Sequence, residues 1–312
     1  MDMGPSDGNR RSNTASGYRG RPLRIGMMAK HSIEAEASSP FFLSIRLNVE
    51  SQCRSLGIQL RRVFRPGDPV AHQDLSELDG LIVIGAIDPA PILELLDGNR
   101  NVVFVKDSVR REPDIDIVQS NMGGAVAECL SILRNLGHRS IGFMGGAVAG
   151  LDIVTQRHAS SLDVRHQAYM TWMREAGLLD PDRIHLGPWG VEGGYRMGVE
   201  ALRKGLFPTA FLMANDAIAS GALRAFGESG IRVPEDLSVI SFDNTEIASG
   251  SEPPLSSVDL DPDEIGRQAV NLLLERIRGR VTPVHLTIPS RLVVRKSFSI
   301  PRDRGHRLRR NG

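Results

Sequence analysis

The feature that most constrains this chain is an alternation of short apolar runs with amphipathic helical stretches. It continues from Leu23 to Ser297. Leu23–Ala29 has the size of a buried strand. Phe41–Leu56 then repeats apolar side chains at helical spacing (Phe42, Ile45, Val49, Cys53, Leu56), with Gly57 as the stop. Ile58–Phe64 alternates like a strand, and Leu81–Gly85 and Val102–Val105 are continuous apolar runs suited to parallel strands covered on both faces. Helices are predicted over Gly123–Leu136, Asp163–Ala176, Gly193–Lys204, Asp216–Glu228 and Asp263–Arg278. Strands are predicted over Ile141–Met144, Thr209–Ala214, Leu237–Phe242 and Arg291–Ser297. This pattern means parallel sheets joined by crossover helices, and about ten strands imply two sheets and hence two lobes.

Length and charge agree with that reading. The 312 residues exceed what one simple core needs, and 38 Lys plus Arg against 37 Asp plus Glu leave a net charge of +1. Near-neutrality argues against a chain that coats nucleic acid over its whole surface. Basic residues do gather at the ends, in residues 1–24 and 302–310, which read as solvated tails. Cys53 and Cys129 fall in helical stretches, so a disulfide framework is not expected. The first 20 residues hold no apolar run, and no segment reaches the length that spans a bilayer, so a cytoplasmic location without membrane contact is expected.

The chemistry sits just past the carboxyl ends of the strands, where open α/β sheets bind ligands. Lys30, His31 and Ser32 follow the first strand, Lys106 and Asp107 follow Val102–Val105, Asn215 and Asp216 follow Phe211–Ala214, and Asp243 and Asn244 follow Val239–Phe242. Polar groups there need partners, and sugar hydroxyls supply them. A helix cap is the ordinary alternative for Asp107 and Asp216, and Asp216 is read as the cap. Asn215 and Asp243 are read as ligand groups. Arg165 lies in the first turn of a helix, where the dipole does not favour a cation; it is either an exposed charge or aimed at a specific acceptor. Trp189, in Gly187-Pro188-Trp189-Gly190, either stacks on a sugar or anchors the packing. No Walker loop, zinc pair or Gly-x-Ser-x-Gly elbow occurs, so no cofactor, no metal and no enzyme activity is expected.

Five blocks of sequence carry a resemblance. They are Asn121-Met122-Gly123-Gly124-Ala125, Leu133 to Gly146 (LRNLGHRSIGFMGG), Ala214 to Ala222 (ANDAIASGA), Gly230 to Asp243 (GIRVPEDLSVISFD) and Pro253 to Val258 (PPLSSV). In this order and spacing the chain resembles the lactose/galactose repressor (LacI/GalR) family over residues 23–298. Phe41 to Arg46, and Asp163-Val164-Arg165 with Gly193-Gly194-Tyr195, resemble its galactoside-responsive branch. The resemblance implies an α/β fold of the periplasmic-binding-protein-like I type, with an effector between two similar lobes. The expected division is a basic tail over 1–21, a first lobe from 22–147 plus 261–283, a second from 148–260 plus 284–299, and a tail over 300–312. Carried over position by position, Arg165, Asn215 and Asp243 match sugar-contacting residues, Trp189 an aromatic lying against the sugar, and Phe41 an aromatic near the cleft. Met122 stands where some members place a cleft aspartate, which passes part of that role to Ser120 or Asn121.

The function that follows is a transcriptional regulator whose sensor domain binds a small sugar, galactose or a galactoside, as a homodimer. Residues 1–22 hold Gly4, Pro5, Gly8, Gly17, Gly20 and Pro22 and no helical period. Operator DNA is therefore expected to be read by a helix-turn-helix not present in this chain. The alternative on the same fold is a free sugar-binding protein serving transport.

Overall fold

The computed structural model describes residues 21–37, 39–106, 114–146, 148–151, 158–161, 163–205 and 207–302. The expectations for both tails, for the helix-turn-helix and for Asp107 fall outside these residues, apart from 21 and 300–302.

Two six-stranded sheets form the framework. The first contains β1 (Arg24–Ala29), β2 (Gln59–Phe64), β3 (Gly80–Ile84), β4 (Val102–Val105), β5 (Asp116–Ser120) and β13 (His285–Ile288), in the order β13-β5-β4-β3-β1-β2. The second contains β6 (Ile141–Gly146), β9 (Ile184–Gly187), β10 (Ala210–Met213), β11 (Ser238–Phe242), β12 (Ser256–Asp259) and β14 (Arg291–Val293), in the order β14-β12-β11-β10-β6-β9. All pairings are parallel except β12 with β14. A small antiparallel ribbon joins β7 (Val148–Leu151) and β8 (His158–Ser161).

The apolar runs become strands because both faces of each sheet are covered. In the first sheet, α2 (Pro40–Ser55) and α10 (Pro262–Ile277) cover Ile82, Ile84 and Val103, while α3 (His72–Ser76) and α4 (Pro89–Leu95) cover Met28, Val83 and Phe104. The second sheet is flanked by α5 (Met122–Asn135), α6 (Val164–Glu175), α7 (Val191–Lys204) and α8 (Asp216–Glu228). Helices α7 and α8 touch backbone to backbone. A Cβ on Gly221 would stand 1.8 Å from the Val191 carbonyl oxygen, so only glycine permits this approach. The packing fixes the starts of α7 and α8 relative to each other. Both cysteines are free and buried, each in its expected helix.

The chain crosses between the sheets three times: at Ser120–Asn121 between β5 and α5, at Leu260–Asp261 between β12 and α10, and at Pro289–Ser290 between β13 and β14. These crossings correct the expected lobe bounds. Residues 141–146, assigned to the first lobe, form β6 of the second sheet, and α5 packs on α6 and on strands of that sheet. Residues 285–288, assigned to the second lobe, pair with β5 in the first sheet. The physical reason is that the first sheet is completed by the short strands β5 and, at its edge, β13, whose polar residues masked them in the sequence.

Candidate functional site

In the second sheet the strands end nearly level. Met144 of β6 is opposite Met213 of β10 and His185 of β9, and Leu212 is opposite Ile240 of β11. The residues just beyond, Trp189, Asn215 and Asp243, therefore rise along one edge, and Arg165 joins them from the first turn of α6.

Arg165 is the hub. Asp163, the N-cap of α6, accepts from the Arg165 backbone amide at 2.9 Å, from Nε at 2.8 Å and from Nη2 at 2.7 Å. Arg165 Nη1 donates to the Ala214 carbonyl and stands 3.8 Å from Asp243 Oδ1. Its guanidinium carbon lies 5.3 Å from the centre of the Trp189 ring. Of the two readings of Arg165, the specific acceptor holds: two carboxylates and a carbonyl overcome the unfavourable helix end. Burial alone would raise the Asp163 carboxyl, but the Arg165 charge and hydrogen bonds hold it below the usual carboxylate range.

Trp189 covers the end of β6. A Cβ on Gly146 would lie 2.0 Å from the indole, so Gly146 serves as a seat for this ring. The indole is still 39% exposed, with Arg165 against it. It therefore packs and presents apolar surface at once.

Asn215 takes the capping place expected of Asp216. Asn215 is the N-cap of α8, its side chain accepting from the Ile218 amide at 2.9 Å, which leaves its Nδ2 donors for another partner. Asp216 is not a cap. It is 1% exposed and accepts from Ser241 Oγ at 2.5 Å, Ser257 Oγ at 2.6 Å, the Thr245 amide at 2.7 Å and Thr245 Oγ1 at 2.9 Å. Burial pushes its carboxyl above the usual range against these donors. Asp243 and Asn244 follow β11 with φ of 93° and 48°. Two consecutive non-glycine residues in this region cost about 1–3 kcal/mol each, a strain typical of ligand sites.

The first lobe supplies Lys30 and His31 at the end of β1. The Lys30 stem lies against Gly85, and its amide donates to the Ile84 carbonyl at 3.0 Å. Burial pushes the ammonium below its usual range, and the Asp163 carboxylate of the other lobe opposes this. His31 stands 4.9 Å from the Phe42 ring. Burial, helped by the Lys30 and Arg65 charges and opposed by Glu36, pushes it down to about 4. Glu36 accepts from Arg46 and Arg65 at 2.8 Å each, and Arg65 donates to the His31 carbonyl at 2.8 Å, so a small ion cluster fixes this wall.

The remaining expected residues divide. Phe41 is 8% exposed and lies in the first lobe's core, its ring at 5.3 Å from Phe42, so Phe42 and not Phe41 meets His31. Ser120 and Asn121 occupy the first crossing. Ser120 is buried; Asn121 donates its amide to the Ile288 carbonyl at 2.9 Å and folds its side chain over Gly124. Met122 is buried behind them. Asp163 and the full role of Lys30 were not among the expected site residues. Their signal was present: Asp163 stands one turn-start before an arginine, and Lys30 ends an apolar strand. Among the described residues no cluster of His, Cys, Asp and Glu could hold a metal ion, and no helix is long and apolar enough to cross a membrane.

Comparison with known proteins agrees with this architecture. A family model described as a periplasmic binding protein-like domain matches residues 130–298. The HTH-type transcriptional repressor MelR of Bacillus subtilis is 31% identical over 291 residues, 92% of this chain and 82% of the relative. The HTH-type transcriptional regulator GanR of the same species is 31% identical over 288 residues, 89% of this chain and 84% of the relative. Among solved structures, a complex of the transcriptional regulator CelR with cellobiose superposes with a TM-score of 0.73 at 25% identity, covering 88% of this chain and 84% of the other. A dimeric Lac repressor gives 0.73 at 25% identity, covering 89% and 100%.

Proposed function

Because the chain belongs to the LacI/GalR family of transcriptional regulators, with a periplasmic-binding-protein-like domain, we propose that it senses a neutral sugar between its lobes, galactose or a galactoside first, and acts on operator DNA as a homodimer. The observation that carries this is the composition of the Arg165 group. The Arg165 guanidinium faces two carboxylates, Asp163 and Asp243, beneath an exposed indole, and the Asp163 charge also acts on the Lys30 ammonium. Cations already answered by carboxylates suit a ligand without charge. The indole suits the apolar face of a pyranose, and Asn215, Asp243 and Arg165 suit its hydroxyl edge. A relative in this fold is named as a complex with cellobiose, a disaccharide of neutral sugars.

The mechanism follows from the three crossings. Each lobe is a rigid layered unit, so motion concentrates where single strands of chain pass between sheets. A sugar that touches Lys30 in one lobe and Arg165 and Asp243 in the other favours the arrangement in which both walls reach it. It shifts the equilibrium only by its difference in affinity for the two arrangements. In a dimer this changes the relative setting of the two chains. Deleting the gene in its source organism and comparing transcripts with and without galactose or lactose tests the regulatory role. A set of transcripts that respond to the sugar in the parent is expected to lose that response in the deletion strain. Transcripts responding identically in both strains would refute it.

A further inference from the structure

The elbow after β11 is held by more than its own backbone. Asn244, the second residue in the left-handed region, uses every part of its side chain and its amide. The amide donates to Ser257 Oγ of β12 at 2.9 Å. Nδ2 donates to Asp259 Oδ2 at 3.3 Å, and Oδ1 accepts from Arg295 Nη2 at 2.7 Å. Those two partners lie on different segments, Asp259 just before the second crossing and Arg295 beyond the strand that follows the third. Asp259 ends β12, and its other oxygen accepts from the Asp261 amide at 3.0 Å. Asp261 itself has φ of 51° and caps α10, its side chain accepting from the Glu264 amide at 3.0 Å, so it is the point where the chain turns into the first lobe. Arg295 follows β14, the strand entered from the third crossing. It is pinned to β12 by its amide on Ser256 Oγ and by Nη1 on the Leu255 carbonyl, both at 2.8 Å. Arg291, the first residue of β14, stands 3.9 Å from Asp259 Oδ2.

One short amide thus joins Asp243, which faces Arg165, to the chain beside the second crossing and to the segment that leads on from the third through β14. Only asparagine combines a donor and an acceptor on so short a stem with tolerance of positive φ. Resting on the reading that a sugar occupies the Arg165–Asp243 group, we propose that Asn244 is a positioning residue that couples effector contact at Asp243 to the crossings, through Asp259 on one side and Arg295 on the other. It sets how strongly the bound sugar biases the lobe arrangement, not how the sugar is held. A sugar that draws on Asp243 moves the elbow, and the elbow cannot move without disturbing the Asn244–Asp259 bond that anchors the turn into α10.

Amide hydrogen exchange of the full chain, with and without saturating lactose and galactose, separates holding from coupling. In the wild type, sugar is expected to slow exchange both at the site (residues 164–166 and 243–245) and at the crossings (260–264 and 290–295). The slowing should be about tenfold, the ordinary size of a coupling between sites. Asn244→Gly removes the amide and keeps the backbone, because glycine accepts positive φ freely. It should retain slowing at 164–166 and lose it at the crossings, and Asp259→Ala, which leaves the elbow residues intact, should do the same. Crossings slowed in both variants as in the wild type would overturn the inference alone. Loss of slowing at 164–166 in both folded variants would overturn it too, making Asn244 part of the binding surface. A wild type slowed nowhere by either sugar would remove the galactoside reading and this inference with it.

Discussion

Arg165→Ala should weaken sugar binding by about 100-fold or more and destabilise the fold by about 3 kcal/mol. The side chain is 10% exposed and its partner Asp163 12%. Removing it leaves the Asp163 carboxylate with only its capping bonds, takes the donor from the Ala214 carbonyl, and removes the cation between Asp163 and Asp243. Breaking a buried pair by deleting one member costs more than the pair itself contributes, because the remaining charge stays desolvated. Arg165→Lys should fall between, since an ammonium restores the charge without the fork that spans Asp163 and Ala214. Denaturant unfolding gives the stability change and calorimetric titration the affinity. An Arg165→Ala protein with wild-type stability and affinity would remove Arg165 from the centre of the site.

The second large effect is expected away from the sugar. Asp216→Ala should cost about 3–5 kcal/mol of stability, since each buried donor left without an acceptor costs about 1–3 kcal/mol. Four donors converge on this carboxylate, two on each oxygen. The hydroxyls of Ser241, Ser257 and Thr245 can turn elsewhere, but the Thr245 amide cannot. Asp216→Asn keeps the volume and places an NH2 against two donors, so it too should destabilise, by less. Chemical unfolding of the three proteins decides this. A loss below about 1 kcal/mol for Asp216→Ala would show that the network is satisfied otherwise. The same bonds hold Thr245, directly after the strained Asp243–Asn244 pair, so the variant's binding loss should exceed what stability alone explains.

Much of the fold was legible because its strands are covered on both faces. Continuous apolar runs such as Leu81–Ile84 and Phe211–Met213 can be little else, and α2, α6, α8 and α10 lie within a few residues of their periodic stretches. The strands that escaped notice are polar or alternating. Ser256–Asp259 reads as a loop, yet Ser256 and Ser257 are buried because Ser297 and Asp216 satisfy them. His285–Ile288 is an edge strand, and its distance in sequence from β5 hid which sheet it joins. Only Arg291–Val293 of the expected final strand is regular; beyond it the segment follows β11 and β12 through single bonds such as Val239 amide to Ser297 carbonyl.

The site was legible as a set of strand ends, and less so as a set of roles. Sequence position placed Asn215 and Asp216 together but could not tell which oxygen meets the helix amide, so the cap was assigned to Asp216 and not to Asn215. Arg165 was visible as an oddity at a helix start, while its answer, Asp163, was read only as the first residue of the same helical stretch. Phe41 and Phe42 are adjacent, and one step of helical rotation decides which enters the core. No local pattern reveals the Asn244 bonds, because Asp259 and Arg295 are distant in sequence.

The most direct test of the central claim is a thermal-shift series on the purified chain with galactose, lactose, melibiose, glucose, their phosphates and a purine, each up to millimolar concentrations. At about 100 times its Kd a ligand of the native state adds roughly 2.7 kcal/mol, enough to raise Tm by several degrees. Stabilisation by a neutral sugar, lost in Arg165→Ala and accompanied by a change in Trp189 fluorescence, is the predicted result. A rise in Tm only with a phosphorylated sugar or the purine would contradict it.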